Sequence, residues 1–165
     1  MFESHAIMKY LCCSRELPQH WYPYLNPEAM ANVDMYLDWH HAGVRMGAEG
    51  YLYRKLVVPI MSGKEVPAEA LEQSWAILMR SLSQVVRVWL PKTGSKKFMF
   101  GDKPSIADLA LACEVANLKS INFPLAEKFP SIHKWLYVDM MSLEGFKAVH
   151  DKGMAKLEKM DEMRR

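Results

Sequence analysis

A segment with almost no polar side chain, residues 109–116, is the feature that most limits how this chain folds. It reads Leu-Ala-Leu-Ala-Cys-Glu-Val-Ala, so apolar side chains point in nearly every direction around a helix. A helix that is apolar on all sides must be surrounded by other elements, because an exposed side would leave apolar surface in water. The pattern predicts a helical bundle with this segment in its middle.

The residues just before this segment predict where its helix begins. Ser105 is the predicted N-cap, and Asp108, three residues later, is the acidic partner of a shortened capping box. Because the helix is expected to be central, we expect the box to be buried, and its loss to cost about 0.5–2 kcal/mol. A purely structural role is therefore favoured for Ser105 and Asp108.

Two amphipathic helices are predicted in the first part of the chain, with a linker between them. A short helix covers residues 3–13, and the linker Leu17-Pro-Gln-His-Trp-Tyr-Pro23 cannot continue it, because prolines break helices. Aromatic residues in that linker indicate that it is pinned to a surface. The short helix has apolar side chains at helical spacing at Ala6, Ile7, Tyr10 and Leu11.

The second of these helices is long, running from about Pro27 towards Tyr53, with a proline that suits its first turn. Gly47 and Gly50 lie inside it, at a cost of about 1 kcal/mol each relative to alanine. They either permit the close approach of another element or a bend, or are simply tolerated in the packing. Its inner stripe is predicted to be Ala29, Val33, Tyr36, Leu37, His40 and Val44.

Three more helices complete the prediction, which is an all-α, up-and-down bundle around one buried helix. The clearest periodicity begins at Pro67 and is stopped by Pro91. Another helix begins near Phe129 with Ser131 as N-cap, and the last covers residues 143–162. The apolar side chains of the first and last of these helices are Leu71, Trp75, Leu78, Leu82, Val85, Val86, Trp89, Phe146, Val149, Met154, Leu157 and Met160.

Composition excludes several classes of protein. The net charge is +2 with 24% charged residues, which gives no case for nucleic-acid binding, and the basic loop of residues 92–97 is expected to be solvated. Cys12, Cys13 and Cys113 have no zinc-type spacing with histidine, so we expect no metal and reduced thiols in the cytoplasm. No apolar run approaches the length of a membrane span, and the N-terminus does not read as a secretory signal.

Several segments, taken in order, resemble one family. Glu3-Ser4-His-Ala-Ile7 is similar to the Glu-Ser signature of glutathione transferases, and His20-Trp-Tyr-Pro23 is similar to the linker of their theta class. Leu37-Asp-Trp-His-His41, with Arg45 and Gly47-Ala-Glu-Gly-Tyr51, looks like plant-type theta enzymes. Pro104-Ser-Ile-Ala-Asp-Leu109 resembles the capping box of the family's core helix, and Phe129-Pro-Ser with Trp135 fits the next helix. The resemblance covers essentially the whole chain.

The resemblance implies a division of the chain and an activity. Residues 1–16 would be the remnant of a thioredoxin-like glutathione-binding domain, residues 17–27 a linker, and residues 28–165 the all-helical C-terminal domain. The implied enzyme conjugates glutathione thiolate, as co-substrate, to small hydrophobic electrophiles or reduces organic hydroperoxides, and is a homodimer at full length. The family's thiol-activating serine would precede Glu3, so no catalytic residue is assigned and this chain, taken as a truncated form, is expected to be inactive alone.

Site residues follow from the same resemblance. Glu3 and Ser4 open a helix, where unpaired N–H groups favour an anion, and they are expected to bind the γ-glutamyl group of glutathione. His41 and Arg45 share a helix face, and an arginine there can stabilise a thiolate or a departing anion. The expected electrophile site comprises His41, Arg45, Glu49 and Tyr53, although Glu49 could instead be only the charged neighbour of an exposed Arg45. Tyr36 and His40 are expected in the core or at a dimer interface.

Two other functions are compatible with the sequence. Related helical domains act as assembly parts in elongation factors and tRNA synthetase complexes, so the chain could be a protein-interaction module. Glu3-Ser4 and Trp39-His-His41 argue against a module, because a scaffold needs neither motif. The chain could also be a remnant without function, in which case exposed apolar surface would make it aggregate.

Overall fold

The computed structural model describes residues 1–90 and 96–162, without the side chains of residues 154 and 156–162. Regular structure in that part is helical, apart from an isolated antiparallel bridge between Phe98 and Gly101. This confirms the predicted all-α class. The α-helices are α1 (Ser4–Ser14), α2 (Pro27–His40), α3 (Met46–Leu52), α4 (Val58–Ser62), α5 (Ala68–Gln84), α6 (Ile106–Asn117), α7 (Leu125–Lys128), α8 (Pro130–Lys134) and α9 (Glu144–Glu162).

Helices α2, α3 and α4 form one long helix over residues 27–62, joined by π-helical turns at His41–Arg45 and Tyr53–Val57. The side chain of Asn26 caps the start, where its Oδ1 accepts from the N–H of Ala29 at 3.1 Å. Gly63, with a φ of 65°, ends the helix in the left-handed conformation that glycine adopts without strain. The predicted inner stripe is confirmed, with Val33, Tyr36, Leu37, His40 and Val44 buried and Ala29 half-buried.

At Gly47, helix α3 packs closely against helix α5. A Cβ atom on Gly47 would lie 2.1 Å from Ser81 Oγ and 3.1 Å from Leu78 Cα. The hydroxyl of Ser81 donates to the carbonyl of Leu78 at 2.9 Å, which holds it beside the glycine. Close approach, rather than a bend, is therefore the reason for a glycine at this position.

Helix α6 is the central helix that the sequence predicts. Nine of its side chains are buried: Ile106, Ala107, Asp108, Ala110, Leu111, Ala112, Glu114, Val115 and Ala116. The predicted capping box is present, with Asp108 Oδ2 accepting from both the N–H and the hydroxyl of Ser105 at 2.9 and 2.8 Å. Asp108 Oδ1 also accepts from the N–H of Met99 at 3.0 Å, so the box fastens the loop before α6 as well.

The linker before α2 lies against the bundle, as its aromatic residues predict. Tyr22 is buried and its hydroxyl donates to Asp34 at 3.1 Å, while Lys9 pairs with the same carboxylate at 2.7 Å. The carbonyl of Trp21 accepts from the N–H of Ile106 at 2.9 Å. The linker thereby connects α1, α2 and the start of α6.

Helix α1 lies where predicted, but the bundle does not cover its apolar face. Ile7, Tyr10 and Leu11 are exposed, whereas His5 and Cys12 are buried against the bundle. An apolar face on a helix indicates that other protein packs on it. In this chain, however, the bundle packs on the opposite side of α1. The exposed face of α1 therefore remains open in this structure.

Three details of the later helices differ from the prediction. Helix α8 begins at Pro130 with Phe129 as N-cap, so Ser131 lies inside the helix, because proline suits the first helical position. The short helix α7 was not predicted. After α5, a π-helical segment (Val85–Trp89) shifts the helix face, which leaves Val86 38% exposed.

Some predictions concern residues that the structure does not describe, and others can be compared with it only in part. The stop at Pro91 lies outside them, as does most of the basic loop of residues 92–97. In α9, Phe146 is buried and Val149 is 69% exposed, while the side chains of Met154, Leu157 and Met160 lie outside the description. Among the described helices, none has both the length and the apolar character required to cross a membrane.

Candidate functional site

An open cleft of about 530 Å³ runs along residues 41–58 of the long helix. Apolar surface from Met46, Tyr53 and Val58 meets the cationic side chains of Arg45 and Arg54 there. Such a lining suits a ligand with an apolar body and a polar or anionic end. All four residues expected at the electrophile site lie in this cleft, whose full lining is His41, Arg45, Met46, Glu49, Gly50, Tyr53, Arg54 and Val58.

The cleft begins at the first π-helical turn, His41–Arg45. Single π-turns within α-helices occur frequently at functional sites, because the extra residue changes the direction of the side chains around it. Gly43 lies inside this turn, and a Cβ atom there would be 2.3 Å from the indole of Trp39. The glycine thus lets Trp39 lie across the helix beside the turn.

Arg45 reaches from the cleft to a buried acid of the central helix. Its Nη1 donates to Oε1 of Glu114 at 2.5 Å, and the Arg45 side chain is 52% exposed whereas that of Glu114 is 5% exposed. Arg45 is therefore not simply an exposed residue beside Glu49, because it also pairs with Glu114. Burial raises the pKa of Glu49, the charge of Glu114 raises it further, and Arg45 opposes both effects.

Glu114 is also contacted by His40, through the same carboxylate oxygen. The Nε2 atom of His40 lies 3.4 Å from Glu114 Oε1, and its Nδ1 atom lies 3.1 Å from the hydroxyl of Tyr36. Burial raises the pKa of Glu114, but the hydrogen bond from His40 and the charge of Arg45 outweigh it, so the pKa lies below its ordinary value. Tyr36, His40 and Glu114 therefore form a connected series of polar contacts that ends at the guanidinium of Arg45.

Tyr36 and His40 are 0% and 2% exposed, so both side chains belong to the core of the chain. The core was one of the two roles expected for them. A dimer contact through these side chains would require surface that neither of them has.

A third imidazole joins this group from α1. The ring of His5 lies 4.9 Å from that of His40 and 4.6 Å from that of His41, and the last two rings are 5.6 Å apart. Burial, together with the charges of His40 and His41, lowers the pKa of His5 to about 4. In the part of the chain that the structure describes, no group of three or more side chains has the arrangement of a metal site.

Glu3 and Ser4 are exposed at the N-terminus of α1, next to His5. The side chain of Glu3 makes no capping hydrogen bond, and its backbone has a positive φ of 71°, a strained conformation for a residue other than glycine. The N–H groups of the first turn can donate to a ligand carboxylate, and the exposed carboxylate of Glu3 can pair with a ligand ammonium group.

The sequence interpretation missed His5 and Glu114, although each carries a signal. Glu114 is the one acidic residue within the apolar segment 109–116, and a charge in such a helix requires a partner. His5 directly follows the Glu3-Ser4 pair. Their partners lie on other helices, so neither motif spacing nor hydrophobic periodicity indicates which residues those partners are.

Known proteins agree with this architecture. A family profile described as "Glutathione S-transferase, C-terminal domain" matches residues 13–144. Glutathione S-transferase T1 of Arabidopsis thaliana is 36% identical over 136 residues, which cover 81% of this chain and 54% of the relative. Glutathione S-transferase theta-1 of Gallus gallus is 32% identical over 133 residues, 81% of this chain and 49% of the relative. The chain thus spans about half the length of these relatives.

Solved structures give the same result. Human glutathione S-transferase T1-1 in its apo form superposes with a TM-score of 0.82 at 27% identity, covering 96% of this chain and 65% of that chain. A human theta-class glutathione transferase in complex with the glutathione conjugate of 1-menaphthyl sulfate superposes with a TM-score of 0.83 at 26% identity, covering 99% and 66%. With a profile match over most of its length and theta-class proteins as relatives and neighbours, the chain belongs to the glutathione S-transferase family and carries the C-terminal domain of a theta-class member.

Proposed function

We propose that this chain forms the electrophile-binding part of a theta-class glutathione transferase. The observation that carries the proposal is the cleft of residues 41–58, which brings His41, Arg45, Glu49 and Tyr53 together on one helix. Its apolar side chains suit a hydrophobic electrophile, and the guanidinium of Arg45 lies at the same surface. The relatives of the chain are named glutathione transferases, which supports this use of the cleft.

The chemistry proposed is attack by a thiolate. The sulfur of glutathione, as the thiolate, forms a bond to an electrophilic carbon while the leaving group departs with the bonding electrons as an anion. With a hydroperoxide, the sulfur bonds to the distal oxygen and becomes a sulfenic acid, while the O–O bond breaks and the alkoxide takes up a proton to leave as the alcohol. A second glutathione thiol then converts the sulfenic acid to the disulfide and water. In both reactions negative charge develops on a leaving oxygen or halide, and Arg45 is proposed to stabilise it.

Glu3 and Ser4 are proposed to hold the other end of glutathione. The hydroxyl and N–H of Ser4 would donate to the γ-glutamyl carboxylate, and Glu3 would pair with its ammonium group. The exposure of both side chains at the start of α1 supports this assignment.

We further propose that residues 1–16 belong to a glutathione-binding domain of the thioredoxin-like type. Support comes from the exposed apolar side of α1, where Tyr10 is 54% and Leu11 is 42% exposed, as a face that packs on more protein would be. No serine of the chain occurs in the context of the family's thiol-activating serine. The 165 residues alone are therefore proposed to be inactive, and the complete enzyme to be a cytoplasmic homodimer.

The proposal is tested with two proteins: the 165-residue chain, and a joined protein in which a theta-class glutathione-binding domain precedes residues 3–165. Turnover of an alkyl halide and of an organic hydroperoxide is measured with glutathione. We expect no turnover by the chain alone and turnover by the joined protein. A folded joined protein that turns over neither class of substrate would overturn the proposal, and protein partners that bind it equally with and without glutathione would then favour the interaction module.

A further inference from the structure

We infer that Glu114 is a positioning residue that fixes the guanidinium of Arg45 at the cleft, and that His40 holds Glu114 in place for this purpose. The inference rests on the proposed function, since Arg45 acts on a ligand only if the cleft binds one. It assigns a role to an acid that lies outside the cleft lining and pairs with one residue of that lining, Arg45.

The first argument is the direction of the contacts of Glu114. Its side chain is 5% exposed, and both of its described partners, Arg45 and His40, belong to the long helix that forms the cleft. Both contacts are made by the same oxygen, Oε1, while Oε2 is buried without a hydrogen-bond partner in the described part of the protein. The carboxylate is thus directed at one helix rather than satisfied evenly by its surroundings.

The second argument is energetic. A buried ion pair usually contributes little net stability, because removing both charges from water offsets their attraction. An unsatisfied buried oxygen adds a further cost. Stability of the bundle is therefore a weak reason for a carboxylate in the central helix, which elsewhere in residues 109–116 has only apolar side chains and a cysteine. Positioning of Arg45 is the function that its geometry serves.

The third argument is the rigidity of the support. Tyr36 is fully buried and its hydroxyl lies 3.1 Å from Nδ1 of His40, which is itself buried and lies 3.4 Å from Glu114. Arg45, by contrast, is half-exposed and would lose its orientation without an anchor, since a free arginine samples many rotamers. One guanidinium nitrogen is bound to Glu114, and the remaining donors of the five that arginine carries stay available to a ligand.

Misplacement of a charged group by about 1 Å can reduce a rate by about 100-fold. In the joined protein, Glu114→Gln is therefore expected to lower kcat by about 10- to 100-fold with a smaller change in KM. Glu114→Asp keeps the charge on a shorter side chain and is expected to recover part of the loss. The matched control is Glu72→Gln, an exposed acid on α5, which should stay within about twofold of the parent protein.

A second readout needs no activity. In the 165-residue chain, NMR of the arginine side chains reports hindered rotation of a guanidinium held by a carboxylate. We expect slow rotation of Arg45 in the parent and in Glu72→Gln, and fast rotation in Glu114→Gln. This separates loss of anchoring from loss of folding, because the backbone spectrum of a folded variant stays that of the parent.

The outcomes distinguish this inference from the proposed function. An active joined protein in which Glu114→Gln keeps the parent kcat, or a Glu114→Gln chain whose Arg45 still rotates slowly, overturns the inference alone. An inactive but folded joined protein overturns the proposed function and with it the role in the reaction. Loss of kcat together with fast rotation of Arg45 is the result that the inference requires.

Discussion

The hydroxyl of Ser105 donates to Oδ2 of Asp108 at 2.8 Å inside the bundle, where the two side chains are 2% and 0% exposed. Asp108 also accepts from the N–H groups of Ser105 and Met99. One carboxylate thereby caps the central helix and fixes the loop that precedes it.

We predict that Asp108→Ala lowers the free energy of unfolding by about 2–4 kcal/mol, because a cap is lost and buried donors are left unpaired. Urea denaturation measures the change. Asp108→Asn keeps one acceptor and should lose less, and the exposed Asp102→Ala should change stability by less than about 0.5 kcal/mol. Equal effects at positions 102 and 108 would contradict a structural role for the box.

Gly47→Ala is predicted to destabilise the protein, although alanine favours a helix by about 1 kcal/mol over glycine. The new methyl would meet Ser81 Oγ at 2.1 Å and Leu78 Cα at 3.1 Å, so α3 and α5 must move apart. Overpacking of this kind costs about 1–3 kcal/mol. Gly50→Ala is the control on the same helix, since a Cβ there lies no closer than 3.6 Å, to the end of Arg54. Thermal unfolding should show a lower Tm for the first variant and an unchanged or higher Tm for the second.

His5 is predicted to make the docking of α1 sensitive to pH. Its pKa is about 4 in the folded chain against an ordinary 6.5, so its contribution to stability is fully present above pH 6.5 and is lost as the pH falls towards 4. Between pH 7 and pH 5 the loss is on the order of 1–2 kcal/mol once the remaining solvent contact is allowed for. The groups that face His5 are His40, His41 and Lys9, with the backbone of Leu37.

The measurement is urea denaturation at pH 7 and pH 5. His5→Phe keeps an aromatic ring without a titrating group, and should reduce the difference between the two pH values, whatever its effect on stability at pH 7. His133→Phe on α8 is the control and should leave the difference unchanged. If the free energy of unfolding changed equally between pH 7 and pH 5 in all three proteins, protonation of His5 would not be coupled to folding.

The features of the fold that depend on residues close together in the sequence could be predicted from it. The continuous apolar run of residues 109–116 and the spacing of Ser105 and Asp108 depend on neighbouring residues, and both predictions are confirmed. The start at Pro130 shows the limit of such rules, because a serine and a proline both favour the start of a helix and the proline determined it.

The site was predictable only in part. His41, Arg45, Glu49 and Tyr53 share a helix face, so their common cleft follows from helical spacing. The anchoring of Arg45 by Glu114 joins residues 69 positions apart, and no spacing rule indicates such a pair. The same reason explains α1: its apolar residues show that a face exists, whereas only the packing shows that His5 and Cys12 contact the bundle.

Arg45→Ala in the joined protein tests the central claim, that the cleft of residues 41–58 is the electrophile site. The kcat/KM is measured with glutathione and a substrate whose leaving group becomes an anion, beside Arg80→Ala as an exposed arginine of α5. We predict that Arg45→Ala loses about 100- to 1,000-fold in kcat/KM, the loss typical of removing one stabilising donor, while Arg80→Ala stays within about twofold. Equal kcat/KM values for the two variants would contradict the assignment of the cleft.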